Sequence, residues 1–439
     1  MVMGYVRRRV GTYLLGRTMR DGLDLRKLRF LPDSTTLPLK RRGLDPLPEL
    51  NRVRATEPVK LLTHLFGMNI WLVTGYDEAR QVLASGEAFS NDLGRFLPQE
   101  GRDPEEQIGG LGMTDPPGHT MLRKLLTPEF TRKRLARLVP RIEAIVETRL
   151  DAMEAAGPEV DLVKEFAFPV PFEVICELLD LPVEDRARFH SLGVARFDLT
   201  AGAAGSFGAA VHSREFLIES VAKQRSNPGE GLIGGLLAEH GDELDDTVLG
   251  GLADGVFLGG YETSASMLAL GSYLLAQHPE AMKMLREEPA SADRVVEELL
   301  RHLTVVQLAF LRFARHDLEL GGQQVKEGDG VGVSLLAANR DPRLAPGADV
   351  FDPNREPTRH LAFGHGLHRC VGAELARMEL RIALTALARR FPDLTVTAPP
   401  DQLEFRKLSA VYGVESLPVR LHGDGRRDDL RAVGTPCLR

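Results

Sequence analysis

Between Asp245 and Gln277 the chain keeps a helical period for far longer than an ordinary globular helix, with few charges on any face. A helix that is apolar nearly all round has no surface position to occupy, so this one must cross the interior with the remaining chain packed around it. Its middle, Phe257-Leu258-Gly259-Gly260-Tyr261-Glu262-Thr263-Ser264, holds two consecutive glycines, each costing about 1 kcal/mol relative to alanine inside a helix. A kink that opens a notch against something flat would account for them. So would close helix packing, with Glu262 in an ion pair. The i, i+3, i+4, i+7 spacing puts Val256, Gly259, Gly260, Thr263 and Met267 on one stripe, so Thr263 is expected to share the face of the notch.

A second stretch, Phe363-Gly364-His365-Gly366-Leu367-His368-Arg369-Cys370-Val371-Gly372, sets a single cysteine just ahead of the amphipathic pattern Ala373 to Phe391, which reads as a helix. Free N–H groups and the positive end of the dipole lower a thiol pKa at such a place, and the thiolate is the metal-binding form. Glycines at 364, 366 and 372 would let the backbone turn tightly and pass close to a flat, bulky group, while Phe363 would cover the sulfur. Other readings compete. A lone cysteine serves as a small buried hydrophobe; His365, His368 and Cys370 form an incomplete zinc set without a fourth ligand nearby; and a glycine loop before a helix binds phosphate, though this one lacks the Lys-Ser/Thr pair.

The chain has 439 residues, 43% of them hydrophobic and 27% charged, the balance of a globular protein with a large core. Its 55 basic and 62 acidic residues leave a net charge of −7, which argues against nucleic acid as the main partner. The only cysteines are Cys176, Cys370 and Cys437, too sparse for a disulfide framework and in keeping with a reducing, cytoplasmic compartment. No run approaches the roughly 18 apolar residues of a spanning helix. The basic N-terminal stretch containing Arg7-Arg8-Arg9 reads as an exposed extension.

Along the chain, Val59 to Leu65 and Asn69 to Thr74 read as a hairpin, and Ser90 to Gly112 as a long loop. Asp115-Pro116-Pro117 opens a helix bearing His119 and Arg123 one turn apart. Helices cover Leu135 to Met153, Phe166 to Leu181 and Glu184 to Phe197. Asp198 to Gly208 is a soft connection of the kind a lid requires, and helix resumes to about Arg225. A helix spans Asp293 to Leu303, and short strands fill Ala309 to Ser334, with Gly321-Gly322 as a turn. We therefore expect a mainly α protein with small β-sheets: an extension over 1–40, one domain over 41–425 and a tail over 426–439.

The spacing Phe-x-x-Gly-x-x-x-Cys-x-Gly resembles that of the haem-thiolate monooxygenases called cytochromes P-450. Around Thr263 the chain resembles that family's small-Gly-x-acid-Thr signature, with Gly259 in the small position. Glu298-x-x-Arg301 followed by Arg355 is similar to its buried Glu-Arg-Arg set. The resemblance runs from about Pro46 to Leu421, looks most like actinobacterial members that tailor natural products, and implies the family's fold, with haem between the long central helix and the cysteine loop. It implies heme b with iron held by Cys370 as proximal metal ligand, a thiolate favouring O–O cleavage. Phe363, Gly372, Gly259 and Gly260 would lie against the cofactor, and His119, Arg123, Arg312 and His368 would meet its propionates. Thr263 and Glu262 would be catalytic, a hydroxyl and a carboxylate delivering the two protons that reductive oxygen cleavage requires. Electrons would come from a separate ferredoxin and ferredoxin reductase docking on a basic face with Arg123, Lys124, Arg369 and Arg377. The implied reaction hydroxylates a sizeable, mostly apolar small molecule or peptide; some such members instead cross-link aromatic side chains of peptides.

Overall fold

The computed structural model describes residues 33–65, 67–92, 110–197 and 202–423. The helices that frame the site are α1 (Tyr76–Ala84), α2 (Gly118–Leu126), α3 (Val139–Ala156), α4 (Pro169–Leu179), α5 (Val183–Phe197), α6 (Gly202–Arg225), α7 (Asp246–Ala276), α8 (Ala292–Leu303) and α9 (Ala373–Arg390). The apolar pattern opening at Asp245 is the interior helix α7. Asp245 caps it by accepting a hydrogen bond from the Val248 N–H at 2.8 Å, and Asp246 adds an anion to the positive end of the dipole. From Ser264 to Leu275 every residue is buried, and at Gly271 the neighbours are Leu384 of α9 and Leu299 of α8; α4 and α6 also pack on α7. Glycine makes one of these crossings: a Cβ at Gly250 would stand 2.5 Å from Ile218 Cγ1 and 2.9 Å from its backbone, so α6 and α7 meet closer than alanine permits.

A five-stranded sheet stands at one side, from β1 (Val59–Leu65), β2 (Met68–Val73), β3 (Phe89–Ser90), β4 (Arg312–Ala314) and β5 (Gly330–Val333), in the order β1-β2-β5-β4-β3. The expected hairpin is β1–β2, with Val59 opposite Val73. Gly321-Gly322 turns a separate pair, Leu318–Leu320 with Gln323–Val325. Strand β4 is wholly buried, which carries the Arg312 guanidinium into the interior.

The set Glu298, Arg301 and Arg355 forms. Arg301 donates to both carboxylate oxygens of Glu298, at 2.7 and 2.8 Å, and Arg355 adds a bond at 3.2 Å. Arg301 also donates to the carbonyls of Asn339 and Ala348, so one fork ties α8 to the segment that leads into the cysteine loop.

Local expectations shift in two places. The helix expected from Asp115 begins at Gly118, after both prolines. The soft connection expected through Gly208 is already helical from Gly202; burial of α6 against α7 outweighs the intrinsic cost of its glycines. Residues 198–201, most of the Ser90–Gly112 loop, the N-terminal basic stretch and the C-terminal tail lie outside the described residues. Of the expected extension, Asp33–Thr36 and Leu37–Leu39 are helical.

Candidate active site

The cysteine loop presses against the end of α1. Gly364 and Gly366 both have left-handed φ, +70° and +71°, and a Cβ on Gly366 would lie 2.4 Å from the Leu83 carbonyl oxygen, so glycine is obligatory there. Gly372 has an ordinary φ of −80° and caps α9, so its place does not come from backbone strain. Its N–H instead donates to the Cys370 sulfur. The Cys370 N–H donates to the Phe363 carbonyl at 2.9 Å, folding the loop back on itself.

Protein crowds Cys370 from most directions, yet one side of the residue stays accessible. Contrary to the expectation from the helix end alone, burial pushes its thiol pKa up; the Gly372 N–H, Arg123, Arg369 and Arg377 oppose that without reversing it. A bound cation is what would complete deprotonation, since coordination removes a thiol proton outright. Among the described residues no group of three His, Cys, Asp or Glu side chains converges as a metal site, so the His365, His368 and Cys370 zinc set does not assemble.

Above the loop lies a cluster of buried donors. His119, fully buried on α2, has its ring centred 4.2 Å from that of His368 and tilted by 50° to it. Among the described residues, neither nitrogen of His119 has a hydrogen-bond partner, nor does Nδ1 of His368 or one terminal nitrogen of Arg312. Burial, then the charges of Arg123 and Arg312, lowers the His119 pKa against the pull of Asp115. Burial, Arg312 and His119 bring His368 down to about 4. Burial brings Arg312 down to about 10, with Asp115 opposing. Partnerless donors that suppress one another's charge form a site for an anion, and two carboxylates of a large ligand would satisfy them. Arg123 stands apart: it donates to the Arg369 carbonyl at 2.6 Å and so braces the cysteine loop.

On α7, Gly259 is exposed in the middle of an otherwise buried helix, and a Cβ added at Gly255 or Gly259 would meet nothing within 4 Å. That open strip is the expected notch. Gly260 leaves it, because a Cβ there would face Ile175 of α4 at 3.1 Å. Thr263 is half-buried, and its hydroxyl donates to the Gly259 carbonyl at 2.7 Å, the back-bond that bends a helix locally. Glu262 is turned away and paired with Arg406 at 2.5 Å. Burial raises its pKa and Arg406 pulls it down.

Three features escaped sequence reasoning. Arg377, expected on an open basic face, is drawn inward by Glu297 and Glu374. Glu379 is buried between α9 and α7 with one oxygen unpartnered, and burial pushes its carboxyl up to about 8 against a hydrogen bond with Ser264. The signal for it was a charge in the i, i+4 row Leu375, Glu379, Ala383, Leu387, otherwise apolar. Arg196 of α5, Asp254 of α7 and Ser213 of α6 share a buried ion pair and hydrogen bond, which no local pattern announces.

Comparison with known proteins places this geometry. A family model described as Cytochrome P450 matches residues 215–411. Cytochrome P450 165B3 of Amycolatopsis orientalis is 41% identical over 88% of this chain and 98% of its own length. The structure titled as a complex of the X-domain and OxyB from teicoplanin biosynthesis is 42% identical, with a TM-score of 0.80 over 88% of this chain and 99% of that one. OxyC, titled a cytochrome P450 implicated in an oxidative C-C coupling reaction during vancomycin biosynthesis, is 36% identical with a TM-score of 0.79 over 87% of this chain and 96% of its own.

Proposed function

The chain belongs to the cytochrome P450 family of haem-dependent monooxygenases, and from that premise we propose that it tailors a natural product, binding heme b through Cys370 and hydroxylating a sizeable, mostly apolar substrate. One observation carries the assignment of the site. The accessible side of Cys370, the donors of His119, Arg312 and His368 that lack partners among the described residues, and the strip opened by Gly255 and Gly259 together fit a flat group that carries a metal and two carboxylates. When bound, haem would supply activation of dioxygen with two external electrons, chemistry that a thiolate ligand favours.

The chain's own residues divide the remaining work. Cys370 offers the sulfur, with the Gly372 N–H stabilising its charge. His119, Arg312 and His368 would hold the carboxylates. Thr263 stands next to the notch with a hydroxyl that is released from the Gly259 carbonyl when a better acceptor arrives, and so holds and passes a proton at Oγ1. Glu262 acts through Arg406, keeping that part of α7 in place. We read residues 41–425 as one domain in a cytoplasmic protein served by a separate ferredoxin and ferredoxin reductase. Among the described residues no helix is long and apolar enough to cross a membrane.

A second reading is supported by the relative implicated in C-C coupling: joining of aromatic side chains in a peptide. Thr263 favours hydroxylation, because coupling of two phenols does not require the second protonation. Ligand-induced shifts of the haem band, screened across lipids, terpenoids, macrolides and Tyr- or Trp-containing peptides, identify the substrate class. Mass analysis of the product then decides, since hydroxylation adds one oxygen atom and coupling removes two hydrogens. A colourless wild type, or a ferrous carbonyl spectrum unchanged by Cys370→Ala, would refute the assignment.

A further inference from the structure

Behind the cysteine loop lies a half-buried charge cluster that the reading above leaves unused. Glu297 precedes Glu298 on α8 but faces the other way. Arg377 of α9 donates to its two oxygens at 2.5 and 3.1 Å, and to Glu374 at 3.2 Å. His360 Nε2 lies 3.0 Å from the same Glu297 carboxylate. The tautomer follows from the neighbouring contact: the Ala362 N–H donates to His360 Nδ1 at 3.2 Å, so Nδ1 is the acceptor and Nε2 carries the hydrogen given to Glu297. The formal charges of the cluster are those of Arg377, Glu297 and Glu374.

This cluster reaches the Cys370 backbone through Phe363. The Arg377 guanidinium lies over the Phe363 ring at 4.6 Å from its centroid, and the His360 ring stands 6.2 Å away on the same residue. The Phe363 carbonyl in turn accepts the Cys370 N–H. Arg377 is one of the cations that act on the Cys370 thiol. A surface docking cation would have an open, mobile head; this one is about a quarter exposed and held by a fork.

We propose that Arg377, Glu297 and His360 are positioning residues that set the reduction potential of the thiolate-bound iron, by holding a compensated cation over the ring of Phe363, the residue whose carbonyl accepts the Cys370 N–H. A positive charge near a ligand sulfur stabilises the reduced, more negative metal centre, and a carboxylate beside it cancels that effect. The two charges therefore oppose each other. Losing Glu297 leaves Arg377 with Glu374 alone and raises the potential; losing Arg377 removes the cation from beside both carboxylates and lowers it.

The inference rests on Cys370 as axial ligand, and the test keeps the two apart. The wild-type ferrous carbonyl spectrum comes first: absence of the red-displaced band of sulfur ligation removes the ligand and the proposal with it. Given that band, spectroelectrochemical titration of the loaded enzyme compares Glu297→Gln, Arg377→Gln and the double variant. The expected result is a rise, a fall and a return close to wild type. Single variants that leave the potential unmoved, or shift it in the same direction, overturn the proposal. Should Arg377→Gln not retain haem, Glu297→Gln decides alone, a rise supporting the charge argument and no rise ending it.

Discussion

Replacing Glu379 with glutamine isolates one buried ionisation. The carboxyl is 3% exposed, and burial raises its pKa from 4.5 to about 8, the Ser264 hydrogen bond pulling the other way. The native state therefore keeps a proton that the unfolded chain has already released, and stability falls as pH climbs from about 4.5 to about 8, then levels once both states are ionised. At 1.36 kcal/mol per unit, the loss between about pH 6 and about pH 9 is about 3 kcal/mol. Glutamine has the same shape, keeps an oxygen and a donor for Ser264, and cannot ionise. Urea unfolding of the loaded enzyme, wild type against Glu379→Gln at both pH values, reads the effect as a difference of differences from which every shared titration cancels. The variant should gain on the wild type by about 3 kcal/mol across that interval. Stability curves that run parallel would show that the carboxyl is already ionised at neutral pH, solvated by water between α7 and α9, and would refute the burial argument.

Arg301→Met should strand the Glu298 carboxylate beside Arg355 and cost about 4 kcal/mol, seen as a lower melting temperature and faster haem loss. Arg406→Met and Glu262→Gln should each destabilise by about 2 kcal/mol, with less than the sum in the double variant, a coupling that calorimetry resolves. Two glycines of α7 should respond in opposite ways. Gly250→Ala drives Cβ into Ile218 and costs about 1–3 kcal/mol. Gly259→Ala meets no protein atom within 4 Å, so in the haem-free chain it should stabilise by up to about 1 kcal/mol, and in the loaded enzyme it should alter the haem absorption band.

Several site residues were legible because their chemistry is local. A glycine with φ near +70° and an occupied Cβ position, as at Gly366, writes itself into the sequence, and so does a carboxylate cap such as Asp245. Other side chains took their surroundings from partners far along the chain. Glu262, expected as a proton-delivering carboxylate, is paired with Arg406, 144 residues later. Arg377 looked like an open cation until Glu297, 80 residues earlier, drew it inward. Gly260 shared a helical stripe with Gly259, but which edge of that stripe faces the notch depends on where Ile175 of α4 lies.

By itself the amino-acid order determined that one long apolar helix must be interior, that a single cysteine would sit on a glycine loop at the start of another helix, and that the ensemble is mainly α with small sheets. These follow from period, composition and backbone freedom, which act over a few residues. Only the tertiary structure decided the electrostatics: which carboxylates are paired, which donors lack partners, and whether burial or nearby cations prevail at the Cys370 thiol. Charge interactions depend on distance and desolvation, and both are set by segments that meet only when the chain has folded.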